Sequence, residues 1–305
     1  MATVVAVGSA VLDRVYAVSN LPEPDGGAFV TDYEERAGGV AANVACALAA
    51  LEHDVTVISR VGRDDAADVI LDSLHEYGVD AAVRRGDDDS SYTLILRGPD
   101  GERMIVAGGE SVPKLRLQDR DRDHLLAADC VFTSAYAPDP VVSRLTALRR
   151  TGEIDALAFD LAGPLAELEG RGTAPTTIDV VATAADLFVT NEVAARSYLD
   201  RPPEDAARAI RDAGADRVAV TVGSAGAYLV EGETEPLHVP AVEREVVDTT
   251  GAGDQFTATL VHAWLLGGES TADAGQVAAA AAAQNCTAPG PRGGLATPAD
   301  LPDSS

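Results

Sequence analysis

The chain has 305 residues, long enough for one large α/β domain, and 46% of them are hydrophobic. It carries 49 acidic against 23 basic residues, a net charge of −26, so nucleic acid is not expected as a partner because phosphate backbones are held by cationic surfaces. Lys114 is the only lysine, and such an acidic surface is typical of a halophilic protein, since molar salt screens the self-repulsion.

The remaining bulk features indicate a cytoplasmic protein. The three cysteines lie far apart and form no C-x-x-C pair, which favours free thiols in a reducing compartment. The first residues have no basic segment ahead of a long apolar run, and no stretch has the length of a membrane span. The five histidines lack ligand spacing, so a histidine-built metal site is not expected.

Short β-branched runs alternate with amphipathic segments through most of the chain. The predicted strands cover residues 3–9, 54–62, 129–135, 155–160, 186–191 and 216–223. The predicted helices between them cover residues 40–51, 66–77, 140–149 and 203–213. This alternation predicts a mostly parallel sheet with helices on both faces.

Two regions break the alternation. Residues 27–37 and 81–106 show short alternating runs with glycine-rich connections and no helical pattern. Such strands cannot all join a parallel sheet, so they predict a small separate sheet, with GPDG at residues 98–101 as a surface turn.

The stretch DTTGAGDQF, residues 248–256, predicts a strand end, a tight glycine turn and a helix over residues 252–266. Glycines let the backbone point successive N–H groups at one spot, and a helix N-terminus favours negative charge there. The sequence therefore predicts an anion hole formed by Gly251, Ala252 and Gly253. Asp254, beside that anion, would take the proton of an attacking hydroxyl. The alternative is that Asp254 only caps a helix and the glycines only make a turn.

DTTGAGDQF resembles the second signature of the ribokinase-like (PfkB) family of sugar kinases. AGGVAANVACALAAL, residues 37–51, resembles the family's first signature, and further matches follow in order across nearly the whole chain. The resemblance implies one domain over residues 1–305: a three-layer sandwich with a mostly parallel central sheet, plus a β-sheet lid from about residues 11–37 and 83–107. It implies the following substrate contacts: Asp13, Gly39, Asn43 and Arg103.

The resemblance also implies a nucleotide site with its metal ions. VTNEVAA lies where the family has N-x-x-E, but Ala194 replaces the glutamate, which leaves the adjacent Glu192 as candidate Mg²⁺ ligand. The implied nucleotide-binding residues are Asn191, Thr221, Gly223, Ser224 and Gly226. Asp248 with Thr250 would hold a potassium-type ion behind the anion hole; the alternative for Asp248 is a cap on the turn threonines.

These observations predict a kinase that uses ATP and Mg²⁺, with K⁺, to phosphorylate a small neutral sugar resembling ribose or fructose. Only Arg36 and Arg103 are evident as lid arginines, which disfavours an anionic sugar. The sequence lacks a P-loop and a G-x-G-x-x-G after a strand, which argues against those nucleotide-binding mechanisms. A nucleoside kinase of the same family and a non-catalytic sugar sensor remain alternatives. A homodimer through the lid is expected, with no nucleic-acid or membrane partner.

Overall fold

The computed structural model describes residues 1–302. The strands are β1 (Thr3–Val7), β2 (Val11–Val18), β3 (Val30–Gly38), β4 (Asp54–Ile58), β5 (Arg60–Val61), β6 (Asp80–Ala81), β7 (Arg84–Arg85), β8 (Tyr92–Arg97), β9 (Arg103–Gly108), β10 (Cys130–Ser134), β11 (Leu157–Asp160), β12 (Leu187–Asn191), β13 (Arg217–Thr221), β14 (Ala227–Glu231) and β15 (Leu237–Val239). The α-helices are α1 (Val40–Ala50), α2 (Asp65–Glu76), α3 (Arg122–Ala127), α4 (Asp139–Arg150), α5 (Leu165–Leu168), α6 (Pro175–Val181), α7 (Glu192–Leu199), α8 (Pro203–Ala213), α9 (Ala252–Leu260) and α10 (Thr271–Asn285).

The main sheet has nine strands in the order β15-β14-β13-β12-β11-β10-β1-β4-β6. From β13 to β6 the neighbouring strands pair in parallel, whereas β14 and β15 add an antiparallel edge. The mostly parallel sheet predicted from the sequence is confirmed. The antiparallel edge and α10 were not predicted.

Helices cover both faces of this sheet. Along β1 the side chains alternate between two cores: Val4 and Ala6 pack on the side of α1, α9 and α10, while Val5 and Val7 pack on the side of α4 and α8. This alternation follows from the period of two in a strand, so each face of the parallel sheet is apolar and buried. The result is the predicted sandwich of three layers. No helix in residues 1–302 combines the length and apolar character that crossing a membrane requires.

The helix that follows the glycine turn changes its winding midway. α9 ends at Leu260, and residues Val261–Leu266 continue it as a π-helical segment. The helix predicted over residues 252–266 is therefore an α-helix followed by a π-helix. Trp264 in that segment is fully buried. α9 packs against α1 and α10, which fixes the direction in which its N-terminus points.

A small sheet of four strands, in the order β3-β2-β8-β9, stands apart from the main sheet. β2 pairs antiparallel with β3 and parallel with β8, and β8 pairs antiparallel with β9. This is the separate sheet predicted from the hairpin patterns, and we refer to it as the lid sheet. Asp13 lies opposite Arg36 on one side and Thr93 on the other, so these positions share one face.

Candidate functional site

The site begins at Gly251, whose backbone has the left-handed conformation. Gly251 has φ 79° and stands immediately before α9. A Cβ there would lie 2.3 Å from the Pro291 carbonyl oxygen, so both the conformation and the space require glycine. The Ala252 N–H makes a long 3.3 Å hydrogen bond to the Thr249 carbonyl, and Gly253 is exposed with open space around it. The first turn of α9 therefore presents backbone amides at an open helix N-terminus.

Asp254 lies in that first turn and is partly buried. Its Oδ2 accepts a 2.7 Å hydrogen bond from the Asn43 side-chain amide. Burial raises the pKa of Asp254 to about 7, with a further rise from the neighbouring Asp160 carboxylate; the Asn43 hydrogen bond and the Arg292 charge act in the opposite direction. A carboxylate that titrates near pH 7 is suited to general base work, because a substantial fraction is ionised at neutral pH and the ionised form is basic enough to accept a proton.

Arg292 completes this network and was missed by the sequence analysis. Its Nε donates to Asn43 Oδ1 at 2.9 Å, and its Nη1 donates to Ser73 Oγ at 2.9 Å. Because a guanidinium has no acceptor, this contact fixes the Asn43 amide with its NH₂ group toward Asp254. Among residues 1–302, Nη2 of the same guanidinium is buried and finds no hydrogen-bond partner. The only sequence signal was a lone arginine within PGPRGG.

Asp13 lies on the lid sheet, where it meets the start of α1. Its carboxylate accepts a hydrogen bond from Thr93 Oγ1, and burial raises its pKa above the usual range. A Cβ on Gly38 would lie 2.1 Å from Asp13 Oδ2, and one on Gly39, where φ is 97°, would lie 2.6 Å from the Ser9 carbonyl oxygen. The paired glycines therefore let α1 begin directly against the Asp13 carboxylate.

Two cavities meet at the glycine turn. The first, about 300 Å³, has a mostly apolar wall together with these predicted residues: Thr221, Gly223, Ser224, Gly226, Ala252 and Gly253. The second, about 330 Å³, lies between the lid sheet and the turn and is lined by Asp13, Arg36, Arg97, Arg103, Asp248 and Thr250, among others. Both sizes are typical of small-ligand pockets. Val246 and Thr249 line both cavities, so two ligands bound there would approach each other at this turn.

Asp248 holds the turn from behind. Its Oδ1 accepts hydrogen bonds from the Thr250 N–H at 2.9 Å and the Thr250 hydroxyl at 2.7 Å, and its Oδ2 accepts from the Gly290 N–H at 3.0 Å. These bonds act against burial, and the pKa of Asp248 lies below its ordinary value. An anionic, oxygen-rich loop has the donor chemistry that a monovalent cation needs, and it also matches the capping alternative.

In the segment that resembles N-x-x-E, the Asn191 side chain already has hydrogen-bond partners within the protein. Both ends of the Asn191 side chain are engaged: it donates to the Ala162 carbonyl at 2.6 Å and accepts from the Ala194 N–H at 2.9 Å as the N-cap of α7. Glu192 is exposed and Ala194 is buried. Residues 1–302 contain no group of three His, Cys, Asp or Glu side chains arranged to hold a metal ion.

Most of the predicted positions are brought together. Asn43 and Asp254 are in contact, Asp13 and Arg103 line the second cavity, and Arg103 Nη1 donates to Thr250 Oγ1 at 3.3 Å. Gly39 lies at the start of α1 beside them. The following predicted residues are not among those that line either cavity: Gly39, Asn43, Asn191, Glu192, Gly251 and Asp254.

The chain is similar to known proteins over most of its length. The pattern of the pfkB family carbohydrate kinases matches residues 1–298. The chain is 30% identical over 275 residues to an ATP-dependent ribose-1-phosphate kinase of Halopiger xanaduensis, covering 88% of this chain and 87% of the relative. It is 28% identical to a 2-dehydro-3-deoxygluconokinase of Bacillus subtilis, covering 88% and 86%. Its fold is similar to that of a Thermotoga maritima ribokinase, with a TM-score of 0.83, 22% identity and 98% of each chain covered. An Arabidopsis thaliana ribokinase complexed with ribose and ATP gives a TM-score of 0.80 at 24% identity, covering 99% of this chain and 96% of the other. The predicted ribokinase-like fold is confirmed, and the chain belongs to the pfkB family of carbohydrate kinases.

Proposed function

We propose that this protein transfers the γ-phosphoryl group of ATP to a hydroxyl group of a small sugar, with Asp254 as the general base. The observation that carries this proposal is the position of Asp254, a partly buried carboxylate with a pKa of about 7 in the first turn of α9. It directly follows Gly253, which lines the first cavity, and Thr250 on the other side of the glycine turn lines the second. A proton acceptor at such a junction suits transfer between a phosphate donor and an alcohol acceptor.

The first cavity is the proposed nucleotide site. Alanine and Phe256 side chains give it an apolar wall for a base, and Gly223, Ser224, Ala252 and Gly253 lie where a phosphate chain would run toward α9. Several relatives are named as kinases, one of them as ATP-dependent, and this supports ATP as the donor. We expect the turn amides to hold the transferring phosphoryl group, because helix N-termini stabilise anions.

The second cavity is the proposed sugar site. A carboxylate can accept from two neighbouring hydroxyls, so Asp13 favours a polyol, and the Asn43 amide adjoins both Asp254 and the start of α1. Named relatives act on ribose 1-phosphate, ribose, 2-dehydro-3-deoxygluconate and deoxyribose. The neutral sugar expected from the sequence rested on a count of two lid arginines. The fold adds Arg97 as a third.

The proposed reaction uses two metal ions, Mg²⁺ and K⁺. Mg²⁺ usually keeps several waters and binds through few protein oxygens plus the substrate phosphates, so the absence of a cage in residues 1–302 is compatible with it. Glu192 stays the proposed protein ligand, although it lines neither cavity, and Mg²⁺ would neutralise charge on the nucleotide phosphates. Asn191 stays a proposed nucleotide-binding residue, with both ends of its side chain already hydrogen-bonded. Asp248 and Thr250 would hold a K⁺-type ion that orders the turn.

The chemical step follows from the geometry. The acceptor oxygen forms a bond to the γ-phosphorus as the bond between that phosphorus and the β,γ-bridging oxygen breaks, and ADP leaves with the electron pair. Asp254 takes the hydroxyl proton, and Asn43 keeps the carboxylate oriented through its 2.7 Å hydrogen bond. The turn amides offset negative charge that spreads over the transferring group.

The test is Asp254→Asn, with Asp273→Asn as the matched control because Asp273 is also a partly buried acid in the first turn of a helix, α10. Turnover, measured as ADP released from ATP, Mg²⁺ and sugar in high KCl, should fall by roughly 10²-fold or more for Asp254→Asn. ATP affinity measured by calorimetry should be retained, and the control should keep its turnover. Near-normal turnover in Asp254→Asn would refute the base assignment, and sugar binding without ADP release by the wild type would favour the sensor.

A homodimer through the lid sheet remains a proposal. Apolar side chains are exposed on β3 and β9, including Val30, Tyr33, Met104 and Val106. Light scattering after gel filtration tests it: a dimer that Val106→Lys dissociates supports the proposal, and a wild-type monomer at micromolar concentration rejects it.

A further inference from the structure

Two arginines stand side by side on the cavity face of the lid sheet. Arg97 at the end of β8 is directly opposite Arg103 at the start of β9 in the antiparallel register. Both line the second cavity, together with Ile95 of β8, two residues before Arg97, and Val15 of β2, which pairs with Ile95. Because alternate residues of a strand share a face, the pair is aimed into the cavity by the register itself.

This placement is unfavourable unless something compensates for it. Like charges directly opposite on neighbouring strands destabilise a sheet. The chain has 49 acidic residues against 23 basic ones, yet within residues 1–302 neither Arg97 nor Arg103 forms an ion pair. Arg103 has only its 3.3 Å hydrogen bond to the Thr250 hydroxyl. By contrast, Arg36 in the same cavity is already engaged by Glu34 and Asp248.

We propose that Arg97 and Arg103 bind the phosphate group of a phosphorylated sugar, so the acceptor substrate is a sugar monophosphate. This inference rests on the proposed function. A guanidinium offers donors in a fork that fits phosphate oxygens, and two adjacent forks match a group of about two negative charges. The sugar would then span the cavity, with its phosphate at the arginine pair and its free hydroxyl toward Asp254.

The pair is assigned to the acceptor and not to ATP because of where it lies. Within the described part of the chain, residues 1–302, the lining of the first cavity includes neither Arg97 nor Arg103, and the two cavities share only Val246 and Thr249. The pair also supplies local positive charge in a protein of net charge −26, where long-range forces repel an anionic substrate. At molar salt that repulsion is screened, and short contacts of this kind decide binding.

The first experiment compares acceptors. ADP release is measured with ribose and fructose and with ribose 1-phosphate, ribose 5-phosphate, fructose 1-phosphate and fructose 6-phosphate. We expect kcat/KM for at least one monophosphate to exceed that of its parent sugar by about 10-fold or more, since charged hydrogen bonds to the phosphate are added. Higher kcat/KM for the parent sugars throughout would overturn the sugar-phosphate assignment while leaving the kinase proposal in place. Absence of ADP release with every acceptor, nucleosides included, would overturn the kinase proposal and this inference with it.

The second experiment tests the pair itself with Arg97→Gln and Arg103→Gln. The matched control is Arg14→Gln, because Arg14 lies on the same sheet at the alternate position of β2 and pairs with Glu35. For the best monophosphate, each cavity variant should raise KM by about 10-fold, with a much smaller rise for the parent sugar and with the KM for ATP little changed. The control should leave all of these constants unchanged. A rise in the KM for ATP alone, or an equal loss with phosphorylated and parent sugars, would overturn the assignment.

Discussion

The hydrogen bond from Asn43 to Asp254 can be tested through the pH dependence of turnover. Asn43→Leu removes the donor but keeps a side chain of similar size in a nearly fully buried position. The Asn43 amide favours the ionised carboxylate, so its loss raises the pKa of Asp254 above the present value of about 7. Since the base must be ionised to act, activity should then be lost at a higher pH as the solution is acidified.

The size of the effect follows from the kind of contact. A hydrogen bond to a charged group contributes about 1.5–3 kcal/mol, and 1.36 kcal/mol corresponds to one pH unit of midpoint, so the acid limb should move up by about one to two pH units. At pH 7.5 a carboxylate with a pKa of about 7 is roughly three-quarters ionised, and one near 8.5 is about one-tenth ionised. Ionisation alone therefore predicts a loss of roughly eightfold at pH 7.5, and nearly none above pH 9.5.

The assay is kcat/KM against pH from 5.5 to about 10, because this ratio reports the pKa values of the free enzyme. Any direct contact of Asn43 with the sugar would lower the whole curve without moving its midpoint, so the two effects separate. Ser73→Ala is the control, since it removes a partner of Arg292 without touching Asp254. An Asn43→Leu midpoint that stays at the wild-type value would refute the role given to this hydrogen bond.

Three further predictions follow from the same structure. Gly251→Ala should lower the melting temperature by several degrees and nearly abolish turnover, because the left-handed backbone and the Pro291 carbonyl reject a Cβ, whereas Gly253→Ala should fold normally; equal melting temperatures would contradict the strained turn. Asp160→Asn should raise the melting temperature at pH 8 but not at pH 4. Burial raises the pKa of Asp160 to about 7, so the folded wild type loses stability as the pH rises from about 4 to 7. A difference in melting temperature between variant and wild type that stays constant from pH 4 to pH 8 would exclude this linkage. Raising KCl from 0.1 to 2 M should increase the melting temperature of the wild type, because the Debye length falls from about 10 Å to about 3 Å or less and screens a net charge of −26; a fall with salt would refute the halophilic interpretation.

The main sheet could be predicted from sequence because each central strand is a short apolar run with both faces buried. DLFVTN became β12 and DRVAVTVG became β13, with ends that differ by one or two residues. The edge strands were harder. β15 has three residues, two of them exposed, so it carries no apolar pattern, and α10 is so rich in alanine that it lacks an amphipathic stripe.

The candidate site could be predicted only in its local parts. Gly251, Ala252, Gly253 and Asp254 are consecutive, so a turn and a helix start define them. Arg292 reaches Asn43 across 249 positions, and only tertiary packing creates that contact. Arg97 was overlooked for a similar reason: its importance comes from the register that sets it opposite Arg103, which a single strand pattern does not reveal.

A protein of net charge −26 repels anionic substrates at long range, so the positions of the few arginines inside the site matter. Arg292, within hydrogen-bonding distance of Asn43, favours the ionised form of both Asp254 and Asp13. Together with the Asn43 hydrogen bond to Asp254 and the Thr93 hydrogen bond to Asp13, it offsets part of the rise in pKa that burial causes. Within residues 1–302, Arg97 and Arg103 have no acidic partner, so their charge on the lid sheet is available to a ligand in the second cavity. A substrate that carried its negative charge at the Asp254 end would raise the pKa of that carboxylate and weaken the base. The arrangement therefore favours an acceptor whose hydroxyl and anionic group lie at opposite ends, which is the property that separates a sugar monophosphate from a compact anion such as phosphate itself.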